Sequence, residues 1–277
     1  MFESPTGDAL TRVHTLYTPL RTAAATLHNV FTNKVYHASL PDPPFRCRYI
    51  IGSSHGWLVT ADKHSSLHLL NPVTSTQLAL PMPQSIKGVR ASFSSDGALI
   101  GYYIDTPNVM FRSISNHVKP QFLPPEKTRQ LLYQKIVLSS DRSDGDCTVL
   151  LRHRPGDLSF ARVGDTEWTW LDTMERCELY NDFFFNDNDR CFYAVREDGE
   201  VHTIDLNGPS PIVKVIFNGL SWQNTCPYYI LLSSWGDIFH IRRIYDPPDH
   251  KSYSDEEHEQ NHKVDLAEQK VTKIKDL

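Results

Sequence analysis

The chain has 277 residues, 40% of them hydrophobic, and a formal net charge of −5. That length and apolar content can bury a large core, and the lack of a basic excess argues against nucleic acid or an anionic membrane as partner. No run approaches the ~20 apolar residues of a membrane helix, and no basic segment leads into an apolar one as in a secretory signal. The five cysteines, Cys47, Cys147, Cys177, Cys191 and Cys226, are odd in number and widely spaced, with no C-x-x-C pair. This predicts reduced thiols, no zinc site, and a cytoplasmic or nuclear protein.

Residues 1–23 read as a partly irregular extension, with room for a short helix over Ala9–Ala25 that Pro19 would interrupt. A hairpin follows, Thr26–Val30 and Val35–Ala38, around Thr32-Asn33-Lys34. Then come sets of short β-branched and aromatic runs bounded by polar turns. The first set is Arg48–Ile51, Trp57–Thr60, Leu67–Leu70 and Gln77–Leu80. The second is Arg90–Phe93, Ala98–Ile104 and Val109–Ile114, with a poor fourth strand near Gln121. A short helix over Pro125–Tyr133 separates it from the third, Gln134–Ser139, Cys147–His153, Leu158–Val163 and Trp168–Leu171. The fourth is Leu179–Phe185, Cys191–Val195, Val201–Leu206 and Ile212–Ile216. The fifth is Tyr228–Ser233, Ile238–Arg243, Lys263–Leu266 and Val271–Ile274, split by the polar loop 246–262.

The sets start near residues 48, 90, 134, 179 and 228, roughly the 40–50 residues of a four-stranded propeller blade. Gly, Asn, Asp and Ser fill the turns, and Asp198-Gly199 is a strong hairpin signal. The fold expected is therefore all-β, a β-propeller of about five four-stranded blades plus an incomplete sixth over 24–277, with a β-sandwich as the alternative.

Several strings together resemble the plant DUF295 family, also called the KIB1-4 β-propeller family. They are Gly52-Ser53-Ser54-His55-Gly56-Trp57 with Asn71-Pro72, then Phe160, Arg162, Gly164 and Asp165 with Trp168 and Trp170, then Tyr193 with Gly199, and finally Asp265. The resemblance covers about residues 24 to 277 and implies structural roles for these residues. It also implies kinship with the substrate-recognition propellers of Skp1–cullin–F-box ubiquitin ligases. The function expected is non-enzymatic binding of a protein client, with no cofactor. No F-box-like string occurs in the sequence, so direct binding of a Skp1-like adaptor is not expected. The family usually continues into further strands, so the last blade is expected to be incomplete. The alternatives are a degenerate, truncated member with no partner and, less favoured, a propeller enzyme.

The chemistry-bearing residues fit that expectation. Gly52-Ser53-Ser54-His55-Gly56 does not match the Gly-x-Ser-x-Gly nucleophile elbow. Asn186-Asp187-Asn188-Asp189 is followed by Arg190 and Cys191 and so lacks the EF-hand pattern. His250, His258 and His262 lack metalloprotease spacing. Trp57, Trp168, Trp170, Trp222 and Trp235 are read mainly as core, with one or two exposed as binding anchors.

Overall fold

The computed structural model describes residues 11–13, 24–29, 32–106, 119–140, 147–153, 156–172, 179–219, 228–245 and 257–274. The strand expected at 109–114, Cys177, Trp222, Cys226 and most of the 246–262 loop lie outside them. Among the described residues, six antiparallel sheets follow one another along the chain, four of four strands and two of three. The first comprises β1 (Thr11–Val13), β2 (Ala24–Asn29) and β3 (Lys34–Ser39). The second comprises β4 (Tyr49–Ser54), β5 (Trp57–Ala61), β6 (Leu67–Asn71) and β7 (Thr76–Ala79). The third comprises β8 (Val89–Phe93), β9 (Leu99–Thr106) and β10 (Lys119–Leu123), and the helix α1 (Pro125–Leu131) follows it. The fourth comprises β11 (Tyr133–Leu138), β12 (Thr148–His153), β13 (Asp157–Arg162) and β14 (Thr169–Trp170). The fifth comprises β15 (Tyr180–Asn186), β16 (Cys191–Arg196), β17 (Val201–Asp205) and β18 (Ile212–Phe217). The sixth comprises β19 (Tyr228–Leu232), β20 (Ile238–Tyr245), β21 (Glu257–Asp265) and β22 (Lys270–Ile274). In each four-stranded sheet every strand pairs with its sequence neighbours, which is the up-and-down blade of a β-propeller.

Two segments depart from the sequence expectation. Thr11–Val13 is a strand rather than part of a helix: Thr11, Arg12 and Val13 pair with Asn29, His28 and Leu27, and the β-branched ends suit a pleated surface. The polar loop gives residues 257–262 to β21, where Glu257 to His262 pair in register with Tyr245 to His240. Backbone pairing with β20 overrides the polar composition there. Among the described residues, Arg243 to Tyr245 pair only with β21, since the described part of β19 starts opposite Arg242 and that of β22 ends opposite Asn261.

The chain forms two compact units, 1–172 and 173–277. In the first, the second strands of the two four-stranded sheets are buried on both faces. All five residues of β5 are buried, as are Thr148 to Leu151 and His153 of β12, so these strands read as continuous apolar runs. Trp57, Leu69, Tyr102, Leu138, Val149 and Trp168 share one core. Within it β4 runs beside β11. Ser54 Oγ accepts the Leu138 amide at 3.2 Å, and a Cβ at Gly52 would sit 3.8 Å from the Ile136 carbonyl oxygen. The second unit has its own core of Val195, Val201, Phe217, Ile230, Ile238 and Val264.

Candidate functional site

Most of the residues singled out in the sequence build turns and sheet junctions. His55 (φ 49°) and Gly56 (φ 77°) form a two-residue turn between the paired Ser54 and Trp57, a hairpin geometry that needs φ > 0 at both positions. Ser54 Oγ also meets His55 Nδ1 at 3.0 Å, and Trp57 is buried. Ser53 pairs with Leu58 beside that turn. Asn71 Oδ1 accepts the amides of Val73 and Thr74, so the side chain caps the turn through Pro72. Asp265 does the same for Glu268 at 2.9 Å. Asp165 Oδ2 accepts the Arg162 amide at 2.7 Å across a turn in which Gly164 has φ 100°. Phe160 is buried. Trp168 donates from Nε1 to the Pro81 carbonyl at 3.1 Å, while Trp170, half-buried, carries Lys87 Nζ 3.0 Å above its ring. Tyr193 donates to Asp189 at 2.5 Å and stacks on Phe184 at 5.3 Å. Gly199 (φ 81°) closes the Arg196–Glu200 turn.

Two of those turns also fasten a sheet to the preceding one. Ser75 (φ 60°) and Gln269 (φ 50°) hold the same place, four residues after Asn71 and Asp265. Ser75 Oγ donates to the Ser39 carbonyl at 2.5 Å. Gln269 donates to the Ile216 carbonyl at 2.8 Å and accepts the Asn218 amide at 3.1 Å.

The sequence reading missed a set of buried polar links, one to a sheet in three cases. Arg48, nearly buried, donates to Thr60 Oγ1 (3.2 Å), Gln77 Oε1 (2.5 Å) and the carbonyls of Pro41 (2.8 Å) and Pro43 (2.9 Å). His153 Nε2 meets Ser159 Oγ at 3.0 Å. The densest link joins β15, β16 and β17. His202 lies 2.6 Å from both Tyr180 Oη (at Nδ1) and Glu200 Oε1 (at Nε2), and Arg196 Nη1 lies 3.5 Å from the same carboxylate oxygen. The carboxylate accepts only, so Nε2 carries the proton and Nδ1 accepts from the tyrosine hydroxyl. Burial lowers the His202 pKa against the opposing pull of Glu200, which keeps the ring neutral.

The signal for these links was a short repeated string. His68, His202 and His262 each stand three residues before Asn71, Asp205 and Asp265, and Ser159 stands three before Arg162. Each lies in the third strand of its sheet, and at the three histidines the string pairs a polar strand position with the residue that caps the next turn. Tyr180, Arg196, Glu200 and His202 are all 5% exposed or less. Sealed in this way, the Tyr180–His202–Glu200 link ties the strands of this sheet together. Among the described residues no group of three or more His, Cys, Asp or Glu is placed to hold a metal ion.

One large aromatic side chain lies on the outside. Trp235, at the tip of the β19–β20 hairpin, is 72% exposed. Its Nε1 donates to Asp237 Oδ2 at 2.8 Å, and Lys263 Nζ reaches the same oxygen at 2.5 Å. These two bonds, Lys263 first, hold the Asp237 pKa down. Phe239 meets the indole edge-on at 6.4 Å. These contacts hold the indole in one orientation.

The model of the KIB1-4 β-propeller family matches residues 25–277. A relative named as a putative F-box protein of Arabidopsis thaliana is 24% identical over 204 residues, covering 71% of this chain and 46% of the relative. The chain thus spans about half the length of the curated relative it matches. Two solved structures align with it. The β-propeller domain of Cps50 (Swd1) from Myceliophteria thermophila has 9% identity and a TM-score of 0.40, covering 90% of this chain and 79% of that one. The WD40 β-propeller domain of Doa1 has 11% identity and a TM-score of 0.35, covering 79% and 54%. The family match spans the second to sixth sheets, their turns and the strings that cap them, and the chain belongs to the KIB1-4 β-propeller family.

Proposed function

We propose that this chain is a non-enzymatic protein-binding propeller of the kind that serves F-box proteins as a substrate-recognition domain. The observation that carries this reading is the division of its chemistry. The polar network around His202 is sealed inside a blade, whereas a large aromatic side chain, Trp235, is exposed and pinned in one orientation. Exposed, pre-ordered aromatic residues are the anchors of protein interfaces. The name of the Arabidopsis relative supports the link to F-box proteins. The chain holds a client without itself binding a Skp1-like adaptor, since residues 1–277 contain no F-box-like string. The cytoplasm or nucleus suits the free thiols of Cys47, Cys147 and Cys191. Among the described residues no helix is long and apolar enough to cross a membrane.

The test is affinity capture from plant extract with the intact chain and with Trp235→Ala, followed by reconstitution from purified proteins. One consistent client, retained by the intact chain and weakened by the substitution, is expected. A stoichiometric complex with a purified Skp1-like adaptor would refute the adaptor-free part of the reading. Turnover of a small-molecule substrate would refute the non-enzymatic part.

A further inference from the structure

Trp235 leaves a narrow choice of chemistry to whatever lies against it. An indole has one polar group, the Nε1–H donor, and Asp237 Oδ2 already accepts it at 2.8 Å. What remains for a partner is the electron-rich ring face, on a residue 72% exposed between the exposed Ser234 and Gly236. Such a face takes an apolar group or a cation. The chain itself provides an instance of the cation, since Lys87 Nζ lies 3.0 Å above the ring of Trp170. Among the described residues no cation lies over Trp235 in this way.

Charge decides between the two. Residues 173–277 hold 19 Asp and Glu against 11 Lys and Arg, whereas residues 1–172 hold 14 against 17. The acidic excess of the chain thus falls on the unit that carries Trp235. At the hairpin end of its sheet, Lys263 is paired with Asp237 at 2.5 Å and Lys270 with Glu268 at 2.6 Å, which leaves the Asp265 carboxylate in excess. Both pairs are exposed, and exposed pairs give way at little cost. We propose that Trp235 receives a basic side chain, a Lys or Arg of the protein client laid over the indole face and drawn there by the carboxylates of this unit. Tryptophan offers a cation the best of the aromatic faces. A second copy of the same unit would bring like charge to like. The proposal rests on the protein-binding reading above and names the chemistry of the partner at its anchor.

Capped random octapeptides are displayed and selected against the intact chain. The winners are synthesised with each Lys or Arg in turn replaced by norleucine, which keeps the apolar stem and removes the charge. Winners are expected to carry Lys or Arg, and one norleucine replacement is expected to weaken binding about tenfold. On Trp235→Leu, which keeps an apolar side chain and removes the ring, the parent and that norleucine peptide are expected to bind equally weakly. Lys263→Gln, which removes the resident cation, is expected to tighten the parent. Norleucine peptides as tight as their parents make Trp235 an apolar anchor and overturn the basic partner, with the protein-binding reading intact. Basic winners indifferent to Trp235→Leu overturn the site and likewise leave that reading. If no peptide is enriched while the intact chain still captures a client, the basic segment alone is overturned. Loss of both client and peptide overturns both.

Discussion

Replacing Trp168 tests how the unit 1–172 is held together. Its side chain is 5% exposed, its Nε1 donates to the Pro81 carbonyl at 3.1 Å, and its amide donates to Ser85 Oγ at 3.1 Å. The indole thus ties the approach to β14 to the connection between β7 and β8. A buried tryptophan removes about 200 Å² from water, which at ~25 cal/mol/Å² gives about 5 kcal/mol. Residual burial in the unfolded chain lowers this to about 3–4.5 kcal/mol. Trp168→Ala is therefore expected to cost about 3–5 kcal/mol, as large core truncations do. Trp168→Phe keeps most of the area but strands the Pro81 carbonyl and is expected to cost about 1–3 kcal/mol. Urea denaturation followed by hydrogen exchange reads the change in each unit separately. The slow amides of β5 and β12 are expected to lose protection, and those of β16 to keep it. A loss under 1 kcal/mol for Trp168→Ala would refute the assignment of this side chain as a packed tie.

Acid should weaken the unit 173–277 through His240, which burial, and secondarily the neighbouring His262, push from 6.5 down to about 4. The unfolded chain takes up this proton below about 6.5 and the folded chain only near 4. Stability is therefore full above pH 6.5 and falls as pH drops toward 4. His202 adds to the same trend. His240→Leu is expected to flatten the dependence of stability on pH between 7 and 5, and an unchanged slope would contradict the assignment. Gly101→Ala would put a Cβ 2.5 Å from the Leu123 carbonyl oxygen and 2.7 Å from Phe122 Cζ. Thermal melts should show a loss of about 1–3 kcal/mol, which adding Phe122→Ala does not abolish, because the carbonyl contact remains. Trp235→Ala should change stability by no more than about 0.5 kcal/mol in the same melts, which separates its exposed position from that of Trp168.

The blades were legible because their turns are written in residues with few alternatives. Gly56, Gly97, Gly199 and Gly236 all take positive φ at hairpin turns, and each stood in the sequence between two β-branched or aromatic runs. The strand order followed from the period of those runs. The 257–262 segment was not legible, since its strand character comes from β20 across the ladder and not from its own Glu, Gln and His content. The short strand at Thr11–Val13 likewise depends on β2. The Tyr180–His202–Glu200–Arg196 link was hidden for a different reason. Its members come from three strands and converge only when the sheet forms, and each alone is an ordinary strand or turn residue. Residue type did not separate Trp235 from Trp57; position does, since Trp57 opens β5 and is buried whereas Trp235 lies within its hairpin turn and is exposed.

Among the described residues, Arg243 to Tyr245 and Glu257 to Glu259 pair only with one another. An isolated two-stranded ladder is marginal in water, so its opening is decoupled from that of the four-stranded body below it. Length added between residues 245 and 257 is then charged only the entropy of a longer closure, about 0.6 kcal/mol per doubling. The sixth sheet thus carries a site where a reporter, a cleavage sequence or a whole inserted domain can be grafted without disturbing the register of the strands that carry Val264 and Ile238.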